Sequence, residues 1–573
     1  MGAHARARYR PLSHSIHGES RTVRRRRGAA IVSALAVAMG ASACDGCGPE
    51  PGAESALQLA PANSAAAIYV PELGTAVERA EAFVARATAN AGAGFVKNLR
   101  QGVARRIGLD PLLPSDYAEQ GLALDGDALL FAEGSQDSPL LALPVDDAEA
   151  VTAFLRQVAE NLAGAAKFGQ SDGDPSIYYA GRPFGEQLVE VMHWAFVQDY
   201  VLVARNGTRE LLESALERFA GQNANSTRPQ HLGEDATYTR LAGQVGDAPA
   251  FVFVRGEAAD AKASDPAALS AGAMTAVGFG PKGVATDTFV DFQVPGMAAA
   301  LDAEPVLPLA ERVESGAVLA LLTRAARPQA LEALRNHPAG ERILEQALEP
   351  LRRAMDADLQ ERVLPLLTGA LTVAVHVGDL QPILERLGAG ELRSLPSLLD
   401  TVQVTATAAA AKPEALAELL ADNVARLKEQ KAPIRTETLD VSGEAVTVYR
   451  VETAGSTFAW TLWDDLYVYG AGAGRLEQTL EFLASEPAAD SLAPELRGSV
   501  GGQLARKRGA SVLLLSPEEL AQRAQGLQMN GGRLGLQGLV RRLTSILDTL
   551  GKLAISLSAE EDGFHVRARQ RLQ

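Results

Sequence analysis

The feature that most constrains this chain is a recurrence. "LLALPVDDAEAVTAFLRQVAENL" and "VTATAAAAKPEALAELLADNVARL" each read as a strand running into an amphipathic helix. Val151, Phe154, Leu155 and Leu162 of the first fall on one helical face, and Leu416, Leu419, Leu420 and Leu427 of the second answer to them, each 265 residues later. A constant offset over four apolar positions predicts that one structural unit is built twice.

The neighbouring segments extend the match. "NSAAAIYVPELGTAVERAEAFVARA" pairs with "ESGAVLALLTRAARPQALEALRNH", which aligns Ile68 and Val70 with Leu319 and Leu321. "LDGDALLFAEG" pairs with "LTGALTVAVHVGD", strands that begin after Gly126 and Gly369. "WAFVQDYVLVARNGTRELLESALERFAG" and "FAWTLWDDLYVYGAGAGRLEQTLEFLAS" both read as a hairpin leading into a helix. Each pass closes with two strands and a turn, "MTAVGFGPKGVATDTFVDFQV" and "LAISLSAEEDGFHVRARQRL". Strands joined by short turns argue for antiparallel sheet, and the helices between them for layers. The expected fold is therefore α+β: two tandem repeats, each a mostly antiparallel sheet packed by amphipathic helices. They are expected over residues 57–295 and 313–573, with a linker at 296–312 where proline, glycine and acids interrupt the periodicity.

Both cysteines of the chain sit in "ASACDGCGPEP", ahead of the first repeat. A basic "RTVRRRRG" precedes the uncharged "AAIVSALAVAMGASA", which is too short for the roughly 20 apolar residues of a membrane span. Basic region, short apolar run and small residues are the parts of a signal peptide, here residues 1–43. Ala41-Ser42-Ala43-Cys44 resembles the lipobox of bacterial lipoproteins, with Ala41 where that family prefers leucine. The resemblance implies lipidation of Cys44, a flexible tether over 44–56, and a membrane-anchored protein of the cell envelope facing the periplasm or exterior. Two other readings stay open, simple secretion and a redox or metal pair at Cys44 and Cys47. A redox pair belongs where a strand meets a helix, and zinc needs two more ligands at short spacing; the Gly/Pro-rich flanks supply neither.

Charge narrows the partners. Residues 1–43 hold eight arginines and one acid, so the net charge of −16 understates how acidic the body is. An acidic body repels phosphate backbones, which excludes nucleic acid as its partner.

Several motifs promise chemistry, and context weakens each. "GQSDG" matches a nucleophile elbow around Ser171, but a helix is expected before it and a strand after it, the reverse of what the elbow needs. "GFGPKG" spells a dinucleotide fingerprint but leads into the alternating "VATDTFVDF", so it reads as a hairpin turn. "LYVYGAGAGRLEQTLEFL" has strand, glycine-rich loop and helix in the right order, which makes Gly470, Gly472 and Gly474 a weak anion-binding candidate. Asp146-Asp147 and Asp464-Asp465 read as turn or cap residues, because neighbours on a strand point to opposite faces. His193, His231, His337, His376 and His565 show no metal spacing. Trp194, Trp460 and Trp463 sit near corresponding hairpins and read as core.

The opening "LAPANSAAAIYV" and the hairpin-helix "DYVLVARNGTRELLESALERF" resemble the bacterial envelope family catalogued as domain of unknown function 3352. The resemblance is strongest over roughly residues 57–295 and implies location and architecture, with no functional residues to carry over. The expectation is a lipid-anchored envelope protein with a non-catalytic binding or structural role, no cofactor and no metal. Its expected partners are the membrane, through the lipid, and an envelope protein or small apolar ligand. Alternatives are a periplasmic carrier or sensor holding a small apolar ligand between sheet and helices, and an enzyme whose residues converge only in the fold.

Overall fold

The computed structural model describes residues 55–572 apart from 90–92, 134–138, 174, 206–208, 222–230, 257–269, 293–301, 325–327, 337–340, 342–361, 379–400, 454–455, 486–489, 498, 526–543, 546 and 561–562. Cys44, Cys47, the signal segment, most of the tether, His337 and residues 296–301 lie outside the described residues.

The fold is mixed α and β, built on one large antiparallel sheet. Its first ten strands are β1 (Ala66–Val70), β2 (Ala128–Ala132), β3 (Leu140–Pro144), β4 (Lys167–Gln170), β5 (Ile177–Phe184), β6 (Gln187–Val197), β7 (Tyr200–Arg205), β8 (Ala250–Arg255), β9 (Ser270–Gly280) and β10 (Gly283–Phe292). The next ten are β11 (Leu319–Thr323), β12 (Leu367–Val377), β13 (Val402–Ala410), β14 (Ile434–Val441), β15 (Glu444–Thr453), β16 (Ser456–Trp463), β17 (Leu466–Ala471), β18 (Ala510–Leu515), β19 (Leu550–Glu560) and β20 (Gly563–Leu572).

Antiparallel pairings run β4-β5-β6-β7-β3-β2-β1-β8-β9-β10 across one half. They continue β20-β19-β18-β11-β12-β13-β17-β16-β15-β14 across the other. Strands ten apart in sequence thus stand at matching distances from the β10–β20 junction, and among the described residues β4 and β14 are the outer edges.

Alternation along the strands feeds an apolar layer on each face. In the first half, Ala67, Tyr69, Leu129, Phe131 and Leu202 point to one cluster, and Val70, Ala128, Leu143 and Val201 to another. The first cluster includes Leu212 and Leu241 from the helices Arg209–Gly221 and Ala236–Ala242. The second includes Val77 and Leu155 from Leu73–Ala87 and Ala148–Ala163. In the second half, Ala320, Leu322, Val468, Val512 and Leu514 pack with Leu476 and Leu480 of the helix Arg475–Ala484. The opposite face meets the helix Pro413–Glu429 through Leu416 and Leu420. Val306, Leu309, Ala310 and Val313 are buried in the same cluster as Ala320, and Leu307–Arg312 is a 3-10 helix; this part of the expected linker is packed into the body.

The helix correspondence needs one correction. Val151, Phe154 and Leu155 are buried, as are Leu416 and Leu420, but Leu162 is 40% exposed, and Leu419 and Leu427 are half-buried. The buried row continues instead through Ala159 and Val424. Steps of four wind slowly round a helix, so by the last turn Leu162 has rotated off the contact. The opening strands also shift. β1 and β11 share one burial pattern from their first residues, which matches Ile68 with Leu321 rather than Leu319. Finally, β4 lies directly before Ser171, where the helix was expected to continue.

The junction of the halves is a nine-pair ladder from Gly283 opposite Arg571 to Asp291 opposite Gly563. Gly283 has φ +135°, and a Cβ there would stand 1.9 Å from the Gln570 carbonyl oxygen, so only glycine admits the neighbouring strand. Asp287, at the middle of the ladder, faces Arg567. Asp287 Oδ2 accepts from Arg567 Nε at 2.9 Å, and Oδ1 lies 2.7 Å from Nδ1 of the buried His565. Burial alone would raise the Asp287 carboxyl, but hydrogen bonds from His565 and Arg567 outweigh it and hold it below its ordinary value.

A carboxyl lowered in the folded state contributes stability above its unfolded pKa and loses it as pH falls through the folded one. Asp287→Asn is therefore expected to cost about 2 kcal/mol at neutral pH. That cost should begin to shrink as pH falls below about 4, where the unfolded carboxyl takes up its proton, and fade as pH falls further through the lower folded value. Urea denaturation across a pH series checks this; the same cost at pH 3 and pH 7 would refute a charge-based junction.

Candidate functional site

A cavity of about 320 Å³ lies between the helix Pro413–Glu429 and the sheet face formed by β12, β13 and β17. The helix begins with Pro413 at its first position and Glu414 in its first turn, and has Arg426 and Lys428 in its last turn. Both ends complement the backbone dipole, which suits proline at a helix start. Leu416, Leu420 and Val424 form its buried row. The cavity walls are Leu367 and Leu371 of β12, Ala406 and Ala408 of β13, Tyr467 of β17, and Leu416, Leu419 and Leu420 of the helix. Burial raises the Tyr467 hydroxyl well above its ordinary value, so the phenol stays neutral. Polar groups come from Arg362, Thr407, Asp422, Asn423 and Arg426. Arg362 is exposed, and Arg426 Nη2 donates to Asn423 Oδ1 at 3.0 Å.

At the matching place in the first half, Leu143, Phe154 and Leu155 pack in one cluster with Tyr117, Ile107 and Trp194. Leu143 pairs with Val201 where Ala408 pairs with Tyr467, and Leu141 with Val203 where Ala406 pairs with Tyr469. The side chains that fill one half are thus replaced in the other by alanine on β13 and by Leu419 in place of Phe154. Val158 and Asn161 of the first helix stand where the second has Asn423 and Arg426, each again 265 residues on.

The glycine-rich loop is accounted for by the backbone. A Cβ on Gly470 would lie 2.7 Å from the amide nitrogen of Leu476, so this glycine lets the helix Arg475–Ala484 approach β17. Gly472 and Gly474 have φ of +116° and +67°, and the Gly472 N–H donates to the Thr457 carbonyl at 2.9 Å. At the helix start, the buried Arg475 turns inward, with Nη2 2.9 Å from Glu314 Oε2 and Nε donating to Thr405 Oγ1 at 2.7 Å. Glu477 in the first turn accepts from Arg450. The charges beside the loop are thus engaged with residues of other segments, Glu314 and Arg450.

The other sequence candidates occupy structural positions. Ser171 Oγ accepts from the Ile177 N–H at 2.9 Å, inside the β4–β5 turn. Pro281 and Lys282 are the two-residue turn between β9 and β10. Asp147 caps the helix Ala148–Ala163 by accepting from the Glu149 and Ala150 N–H groups. Asp464-Asp465 is the turn between β16 and β17, and Gln198-Asp199 the turn between β6 and β7. The carbonyls of Asp199 and Asp465 accept from Val145 and Ala410, each at 2.7 Å. Trp194 is fully buried and stacks on Tyr178 with centroids 5.7 Å apart, and Trp460 lies 6.0 Å from Tyr449. Burial, with the charges of Arg475 and Arg523, pushes His376 down to about 4. Among the described residues no group of three or more His, Cys, Asp or Glu could hold a metal ion, and no helix is long and apolar enough to cross a membrane.

A polar centre that sequence patterns did not mark lies within the first half. Asp127 is buried, and its Oδ2 accepts from Ser55 Oγ at 2.6 Å and from the Ala56 N–H at 3.0 Å. Its Oδ1 accepts from the Tyr200 hydroxyl. Burial first, and Asp127 second, raise the hydroxyls of Tyr69, Tyr200 and Tyr238 above their ordinary values. The carboxylate thus fastens the point where the body begins. It lies at the turn before β2, among residues of five separate segments, and no spacing announces it.

No family model matches this chain, and no curated protein matches it. Among solved structures it is similar to TP0453. Crystal form IV is 10% identical over 43% of this chain and 83% of that one, with a TM-score of 0.24. Crystal form III is 9% identical over 42% and 81%, with a TM-score of 0.23. Scores at this level decide neither fold nor function.

Asp127→Ala leaves the Ser55 hydroxyl, the Ala56 amide and the Tyr200 hydroxyl without their acceptor. The expected loss is about 3 kcal/mol of unfolding free energy, together with faster proteolysis near Ser55. Denaturant titration and the masses of the early fragments check it; a loss under about 0.5 kcal/mol would show that the clasp contributes nothing.

Proposed function

We propose that this protein is a lipid-anchored component of a bacterial cell envelope, held to a membrane through Cys44, whose body binds a small apolar ligand and performs no catalysis of its own. The observation that carries the binding reading is the cavity under the helix Pro413–Glu429, with leucine, alanine and tyrosine walls and a few polar groups. Apolar walls with a few convergent polar groups are the usual anatomy of a small-molecule site.

A non-catalytic body fits the way the inward-facing acids are used. The buried Asp127 accepts hydrogen bonds from the Ser55–Ala56 segment, the buried Asp291 accepts from Arg240, and the half-buried Asp287 accepts from the facing strand. The reading of the body as two tandem repeats is supported by the mirrored pairing order on either side of β10 and β20 and by the matched turns at Asp199 and Asp465. On that reading one copy keeps a filled core while the other has opened a ligand space. The envelope reading rests on the leader, the lipobox-like Ala41–Cys44 and the resemblance to domain of unknown function 3352.

The test uses full-length protein extracted from its own membranes. Native mass spectrometry is expected to show a bound apolar molecule that is lost in Ala408→Leu, a substitution that restores the leucine found at the matching position of β3. Peptide mapping is expected to find an N-terminal peptide that begins at acylated Cys44. Absence of any co-purifying molecule, with no binding of added alkyl compounds, would overturn the ligand reading. An unmodified Cys44 would overturn the anchor.

A further inference from the structure

The polar groups at the cavity are unevenly charged. Arg362 and Arg426 bring two guanidinium groups, against the single carboxylate of Asp422. That is the balance among the described lining residues, on a chain of net charge −16. A guanidinium presents a planar fork of donors that matches carboxylate and phosphate oxygens. For the half-buried Arg426, beside an apolar wall, the pull is less screened than in open water. Arg426, in the last turn of the helix, also donates to Asn423 Oδ1, which steadies its side chain at the cavity. The volume, about 320 Å³, is near the bottom of the range for small-molecule pockets and suits one narrow chain better than two.

We propose that the cavity selects a single-chain amphiphile with an anionic head. The alkyl chain lies against Leu367, Leu371, Leu416 and Tyr467, and the head meets Arg362 and Arg426. This rests on the reading that the cavity takes an apolar ligand, and it adds the chemistry of the head. Carboxylate and phosphate heads share that chemistry, so both are probed.

Calorimetry on the full chain, freed of bound lipid, compares dodecanoate, dodecyl phosphate, dodecanol and dodecylammonium below their aggregation concentrations. The anionic compounds are expected to bind about tenfold more tightly than dodecanol, as one charge-assisted hydrogen bond would give, and dodecylammonium more weakly. The better of the two anions identifies the head. Arg362→Gln with Arg426→Gln should bring both anions to the level of dodecanol and leave dodecanol unchanged. Ala408→Leu should abolish binding of all four. Ala406→Leu, which mimics Leu141, serves if the first variant does not fold. Equal affinity for anion, alcohol and ammonium, or anion preference that survives loss of both arginines, would overturn the head selectivity while leaving an apolar site. No binding of any compound, or binding untouched by both alanine variants, would overturn the site itself and the selectivity with it.

Discussion

The β10–β20 ladder is the interaction on which the rest of the sheet depends. Each half has ten strands with a face of helices on either side, and each would end in an unpaired strand without the other. Main-chain hydrogen bonds join the two, and Gly283 and Gly563 admit the close approach at opposite ends of the ladder. Asp287 adds register. A one-residue slip would take its carboxylate away from both His565 and Arg567 and turn every side chain of β20 to the other face.

Much of this architecture was legible because apolar spacing reports burial. The 265-residue offset located the helices Ala148–Ala163 and Pro413–Glu429, and Pro281 and Gly283 marked the β9–β10 hairpin, whose two-residue turn is Pro281 and Lys282. The spacing failed where geometry departs from an ideal face. Leu162 carries the right period yet is exposed, because the contact row winds away from it. The order of strands was not legible. Backbone groups make the ladder between β10 and β20, and they are the same in every residue.

The cavity was still less accessible to pattern reading. Ala406 and Ala408 look like ordinary strand residues, and their meaning appears only against Leu141 and Leu143, which occupy the matching places in the pairing. Leu419 likewise satisfies the helical pattern as well as Phe154 does. A periodic apolar signal records that a position faces inward, and it is nearly blind to how much volume the position fills. The Asp127 cluster was hidden for a related reason. Ser55, Tyr69, Asp127, Tyr200 and Tyr238 converge from across nearly 200 residues of chain, and each is unremarkable in its own segment.

The mirrored strand order also determines what the molecule presents at its two ends. Because the halves are joined through their tenth strands, β4 and β14 are left as the outer edges among the described residues, and they are counterparts. Two such edges could pair with those of neighbouring molecules and propagate the sheet into a ribbon of indefinite length. Both ends resist this. β4 is only four residues long, and β14 carries Arg435, Glu437 and Asp440 along its length. A protein assembled by joining sheets at one edge has to keep the remaining edges from repeating the reaction, and here brevity guards one end and charge the other.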